Sequence, residues 1–264
     1  MSFGRAFRAV FSFFWFAGRK ARRTRLMALA GILPVLAASA IQVQHWVEPS
    51  FGPDGLTVFS NIILAFYLQF LIIILALFYG TSVVSEEVEG RTLPYLTTRP
   101  LPKAAVILGK YAAYAAWSSI LVGTGTFLSF LILNLDRLAE PAAWAVLAKT
   151  AAVLILGLLV YAALFTLAGA ALKKSILVGL AFGFGWETIV QYLPGSTQKF
   201  TVVHYLKSIL KSASQGPQGK LAFLSVRLQP SSLFVSLLTL GLIGAAALAA
   251  AVFLFKRREY LFEE

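Results

Sequence analysis

The sequence predicts an all-α membrane protein of six transmembrane helices with both termini on the cytoplasmic side, and three observations predict it. Hydrophobic residues make up 59% of the 264-residue chain and charged ones only 13%, with a mean hydropathy of +0.80. That is more apolar side chain than a water-facing surface can cover. The apolar residues fall in runs of about 20 or more, the length that crosses the hydrocarbon of a bilayer as a helix. Lysine and arginine collect at the ends of these runs, as they do on the cytoplasmic side of membrane helices. Six spans and their connections use up the chain, so one membrane domain is expected.

Residues 1–25 form the first element, an amphipathic interfacial helix and basic segment. Phe3, Phe7, Val10, Phe11, Phe14 and Trp15 recur every three or four residues, with Arg5, Arg8, Arg19, Lys20, Arg22, Arg23 and Arg25 around and after them. Such a stripe lies in the plane of the membrane surface. The six-span domain, 26–264, comes next, with spans at about 26–46, 57–84, 104–134, 142–172, 175–193 and 233–255, each bounded by proline, glycine or charge. Ala38-Ser39-Ala40 has the form of a signal-peptidase site. The apolar run continues through Ile41 and Val43, so cleavage is not expected.

In this arrangement the cytoplasmic segments carry fifteen lysines and arginines, and the external ones carry Arg137 plus five in the long loop 194–232. The imbalance favours both ends inside, with the external loop as the exception. Within that loop Val202, Val203, Leu206, Ile209, Leu210 and Ala213 recur at helical spacing opposite Lys207 and Lys211. The pattern fits a short helix on or dipping into the outer leaflet, and equally an ordinary surface helix.

The net charge of +12 is explained by topology. No basic stretch has the interleaved stacking aromatics of a nucleic-acid site. The chain has no cysteine, which removes disulfides and thiolate metal sites. Its two histidines, His45 and His204, lack metal-ligand spacing, so no metal site is expected. Glu187, inside the fifth span, is a candidate for a substrate path because an unpaired carboxylate in lipid is costly. Gln69 and Asn61 in the second span could line the same path or join helices by hydrogen bonds. Gly179 and Gly183 form a GxxxG pattern, a candidate dimer contact.

Two short patterns resemble an intramembrane protease. Glu86-Glu87-Val88-Glu89-Gly90-Arg91 fits EExxxR and Phe200 to His204 fits FxxxH, as in the CPBP family of intramembrane glutamic proteases. That family has a further histidine downstream, whereas here His45 comes earlier. The two patterns are also expected on opposite faces, too far apart to share a water.

The segment SEEVEGRTLPYLTTRPLPK, Ser85 to Lys103, is more specific. Gly90 suits the end of a helix, Pro94 suits the first turn of a new one, and Pro100 pushes Arg99 out of helical conformation. A short cytoplasmic helix over about 93–98 is the consequence. It would show Leu93, Tyr95 and Leu96 among charged neighbours, the make-up of a docking surface.

Here the chain resembles the ABC-2 family of transporter permeases. The likeness rests on Glu86, Glu87 and Glu89, then Arg91-Thr92-Leu93, Tyr95-Leu96, Thr98-Arg99-Pro100, Pro102, Lys103 and Gly109-Lys110. Two departures stand out: Pro94 shortens the short helix, and Lys103 stands where arginine is common. The resemblance implies a permease dimer, a homodimer being expected, whose short helix couples to two cytoplasmic ATPase subunits. Glu86, Glu87, Glu89, Arg91, Leu93, Tyr95, Leu96 and Arg99 would make that contact. It also implies export, with ATP and Mg on the partner, no cofactor in this chain and a prokaryotic inner membrane as location. The apolar spans, which lack an evident charged cavity, favour an amphipathic or lipid-linked substrate, although six apolar spans would look this way in any case. The chain has no GxxxxGK[ST] loop, so it is expected to be no enzyme. The alternative from a different class is a scaffold that holds a cytoplasmic partner through the same segment.

Overall fold

The computed structural model describes residues 2–48, 54–89, 102–191, 196–211 and 230–257, leaving out the side chains of 86–89, 196 and 211. Among the described residues the chain is helical, with no strand.

Helix α1, Phe3–Lys20, ends where Ala21 takes an extended conformation, and α2, Arg22–Val47, starts immediately after. Ala6, Val10 and Gly18 are buried on one face of α1, while Arg5, Arg8 and Arg19 are exposed. That division arises from the three-to-four-residue spacing of the apolar positions. Helix α3 is continuous but not uniform. It runs through Gly55–Val58, a π turn Phe59–Ile63, Leu64–Phe66, a second π turn Tyr67–Leu71, and Ile72–Glu89.

Helix α4, Lys103–Leu133, returns to a short turn Leu135–Arg137, and Pro141 opens α5, Pro141–Ala171. Proline fits that first position because its missing N–H would have no helical partner there. Arg137 Nη2 meets Asp54 Oδ1 at 2.9 Å, tying this turn to the start of α3. Helix α6 comprises Ser175–Leu180, a π segment Ala181–Trp186 and Glu187–Val190. A short turn Ser196–Phe200 leads to α7, Val202–Lys211, and Leu233–Arg257 forms α8.

Among the described residues five helices are long and apolar enough to cross a membrane: α2, α3 over Gly55–Ser85, α4, α5 and α8. The expected fifth span at 175–193 differs from these. Its helix stops at Val190, and sixteen residues rise only about 24 Å. Near its end the Glu187 side chain accepts from the first amides of α7, which joins the two helices end to side.

Helices α3 and α5 form the centre, and α2 and α8 lie outside it with many apolar side chains exposed. In lipid, apolar burial gives little drive for helices to associate, so contact depends on close packing and small residues. Gly80 and Gly169 provide it. A Cβ on Gly80 would come within 2.7 Å of the Ala162 carbonyl, and one on Gly169 within 2.6 Å of the Thr81 carbonyl. Gly179 and Gly183 do the same for α6. A Cβ at either would collide with Leu77 or Ile73 of α3, and Phe165 of α5 fills the space beside them. The GxxxG faces inward, against this chain's own helices.

Candidate functional sites

Two polar constellations bring ionisable side chains into the interior. The first lies where the N-terminal segment meets the helices that flank residues 90–101. Tyr79 on α3 and Tyr114 on α4 have ring centres 5.6 Å apart, and Phe14 of α1 meets Tyr114 edge-on at 5.9 Å. Two cations sit among these rings. The Arg23 guanidinium lies 5.0 Å from the Tyr79 centre and 4.7 Å from that of Tyr114. Lys110 Nζ lies 4.8 Å from Phe14 and 5.7 Å from Tyr114, and its side chain is fully buried. Tyr79 donates to Thr24 Oγ1 at 3.1 Å.

Ring faces attract cations and partly replace lost water, by about 0.5–2 kcal/mol per contact. Four elements, α1, α2, α3 and α4, thereby meet in one cluster. A second anchor holds α1: Trp15 stacks on Trp117 at 4.8 Å, and Trp117 Nε1–H donates to the Trp15 carbonyl at 3.0 Å. Of this cluster the sequence marks Phe14, Trp15 and Arg23 only as parts of an amphipathic stripe, and Lys110 only as part of a motif. An available signal is Lys110 itself, a lysine in an apolar span with Tyr111 and Tyr114 after it.

The second constellation surrounds Glu187. Its side chain is 1% exposed. Oε1 accepts the Val202 N–H at 3.0 Å and Oε2 the Val203 N–H at 3.3 Å, so the carboxylate caps the first turn of α7. Thr201 Oγ1 accepts the next amide, His204 N–H, at 3.3 Å and donates to the Gln198 carbonyl at 2.7 Å. The fully buried Tyr161 of α5 faces the carboxylate without reaching hydrogen-bond geometry.

Lys207 Nζ donates to Gln191 Oε1 at 2.8 Å, a second tie between α7 and the end of α6. His204 Nε2 pairs with Ser231 Oγ at 3.1 Å, and Ser208 Oγ accepts the Ser231 N–H at 3.2 Å. These two bonds fasten the approach to α8 onto the flank of α7.

Of the other sequence candidates, Asn61 and Gln69 each lie inside one of the π turns of α3. Asn61 Nδ2 donates to the Thr57 carbonyl at 2.9 Å, satisfied within its own helix. Gln69 is half-buried beside Phe70, whose ring meets Phe184 of the α6 π segment at 5.9 Å. No hydrogen bond joins Gln69 to Glu187 among the described residues, and Glu187 is turned toward α7. His45 is on α2 and His204 on α7, and no group of residues among those described could hold a metal. Glu86, Glu87, Glu89, Arg91, Leu93, Tyr95, Leu96 and Arg99, the expected coupling residues, lie outside the described side chains, as does the short helix at 93–98.

Apolar helices of spanning length, packed through glycine contacts and closed around a few polar clusters, define the class of multi-pass helical membrane proteins. The family model described as ABC-2 family transporter protein matches residues 18–190, more than half of the chain, and the protein belongs to that family. Among curated proteins none matches it.

Proposed function

We propose that this protein is the membrane permease subunit of an ATP-driven exporter, powered by ATPase subunits on separate chains. The observation that carries the reading is the family match, which runs through residues 85–103 and so includes the acidic, RTL, Tyr-Leu and TRP elements in order. In this reading α3 and α4 frame a short coupling helix that seats in a cleft of the ATPase. Closure of two ATPases on ATP would push that helix and bias the spans between inward- and outward-facing states. The Arg23–Tyr114–Lys110 cluster sits at the root of those two helices and braces them against α1 and α2.

In this reading both termini lie in the cytoplasm, α1 lies along the inner membrane surface, and α6 continued by α7 makes the fifth of six crossings. Two permease copies would pair to form the path. An amphipathic or lipid-linked substrate suits the apolar interior.

The test is isolation of the chain from its native membrane in mild detergent. Recovery of a stoichiometric subunit bearing a P-loop, with ATP hydrolysis in the purified complex, is expected. A chain that repeatedly purifies without any such subunit ends the proposal. The scaffold alternative also retains a partner, so it is separated by reconstitution: a transporter changes its ATPase rate with candidate lipids, and a scaffold does not.

A further inference from the structure

The start of α7 lies inside the packed protein. Leu206 faces Gly157 of α5, where a Cβ would come within 2.6 Å of Leu206 Cδ1, and Lys149 Nζ reaches the Leu210 carbonyl. Helix α7 therefore runs back along α5 from the level of Tyr161 toward Lys149. Tyr161 is ten residues from the Ala171 end of α5 and twenty from its Pro141 start. At 1.5 Å per residue these are about 15 Å and about 30 Å.

A helix that begins at such depth presents amides with no partner in the preceding turn. Lipid offers them none, and each unmet group is costly. Glu187 answers two of these amides and Thr201 a third. The negative side chain also suits the positive end of the α7 dipole. Both oxygens accept, so one side chain meets two backbone donors. The buried charge and the buried helix start satisfy each other.

Glu187 is the first residue after the π segment of α6, and π turns inside helices are frequent at functional sites. We infer that Glu187 is a positioning residue of the transport cycle, a latch that makes α7 move with α6. Its carboxylate is committed to the α7 amides rather than to substrate. The movement part of this inference rests on the permease reading above; the capping part does not.

The experiment is hydrogen exchange by mass spectrometry on the full chain in lipid nanodiscs, comparing wild type, Glu187→Gln and Glu187→Ala. Glutamine keeps the shape and one acceptor but loses the charge. Exchange in the first turn of α7 is expected to rise about tenfold or more in the alanine variant and by less in the glutamine variant, with α3 and α5 unchanged. Unchanged exchange at 202–205 overturns the latch. If the alanine variant does not assemble, the same criterion applies to glutamine.

The assembled complex with its ATPase gives the second readout. In wild type, ATP with vanadate should alter exchange both in 175–190 and in 202–211. In Glu187→Gln the first change should remain and the second be lost. Persistence of the second change in the variant, or its absence from wild type, overturns the coupling. Reduced transport with normal α7 protection would instead place Glu187 on the substrate path and overturn the inference. Failure to find any ATPase defeats the permease reading and leaves the nanodisc comparison as an independent test of the cap.

Discussion

The Arg23 guanidinium lies 4.7 Å from the centre of the Tyr114 ring, joining the first residues of α2 to the first half of α4. Tyr114 also contacts Phe14, Tyr79 and Lys110. One ring therefore links all four elements around the segment that the proposal assigns to ATPase coupling. Tyr114→Leu keeps an apolar side chain and removes the ring. It is expected to destabilise the protein by about 1–3 kcal/mol through lost edge and cation contacts, seen as a lower melting temperature in detergent. A melting temperature equal to wild type would show that the cluster contributes nothing to holding α1 and α2.

Packing of α6 on α3 gives a second prediction. A methyl at Gly183 strikes Ile73 Cγ2, the side chain of one residue. Gly183→Ala should cost about 1–3 kcal/mol by overpacking, and adding Ile73→Ala should recover part of it. Gly169→Ala strikes the Thr81 carbonyl, which is backbone, so no side-chain change opposite should restore it. A double variant of Gly183 and Ile73 whose loss is the sum of the two single losses would contradict this packing.

The coupling proposal predicts a separation of hydrolysis from transport. Aspartate at Leu93, Tyr95 and Leu96 places charge where apolar contact is expected, and alanine at Glu87 and Arg91 removes the charged rim. These variants should insert normally and lose at least tenfold in substrate-stimulated ATPase activity of the reconstituted complex. Stimulation at the wild-type level across the set would remove those residues from the contact.

Much of the architecture was legible because it rests on periodicity and length. The apolar stripe of 1–25 gave α1, although its Val10 and Gly18 face lies on α4 at Gly109 and Trp117. The spans at 26–46, 57–84, 104–134, 142–172 and 233–255 each have a helix over them. The expected helix around 202–211 is also present, but its spacing suggested the outer leaflet or the surface, whereas Val202, Val203, Leu206 and Ile209 are buried inside the protein. The π turns of α3 and α6 were not legible, since Phe59–Ile63 and Ala181–Trp186 read like any apolar helix.

The partners of polar residues divide along the same line. Sequence alone could mark Glu187 as costly in lipid, because the cost is inherent in the chemistry of a carboxylate. It could not say that the charge meets the amides of Val202 and Val203. That pairing depends on α6 and α7 both packing along α5, so that α7 starts beside Tyr161 where α6 ends. Likewise the glycines at 179 and 183 announced a close approach, but only the fold decided that Ile73, Leu77 and Phe165 occupy it. Composition and spacing determined that this protein lives in a membrane as helices, with a specific motif at residues 85–103. Tertiary structure decided which buried groups answer one another, because hydrogen bonds and steric fit act over a few ångströms between residues whose separation in sequence carries no record of their meeting.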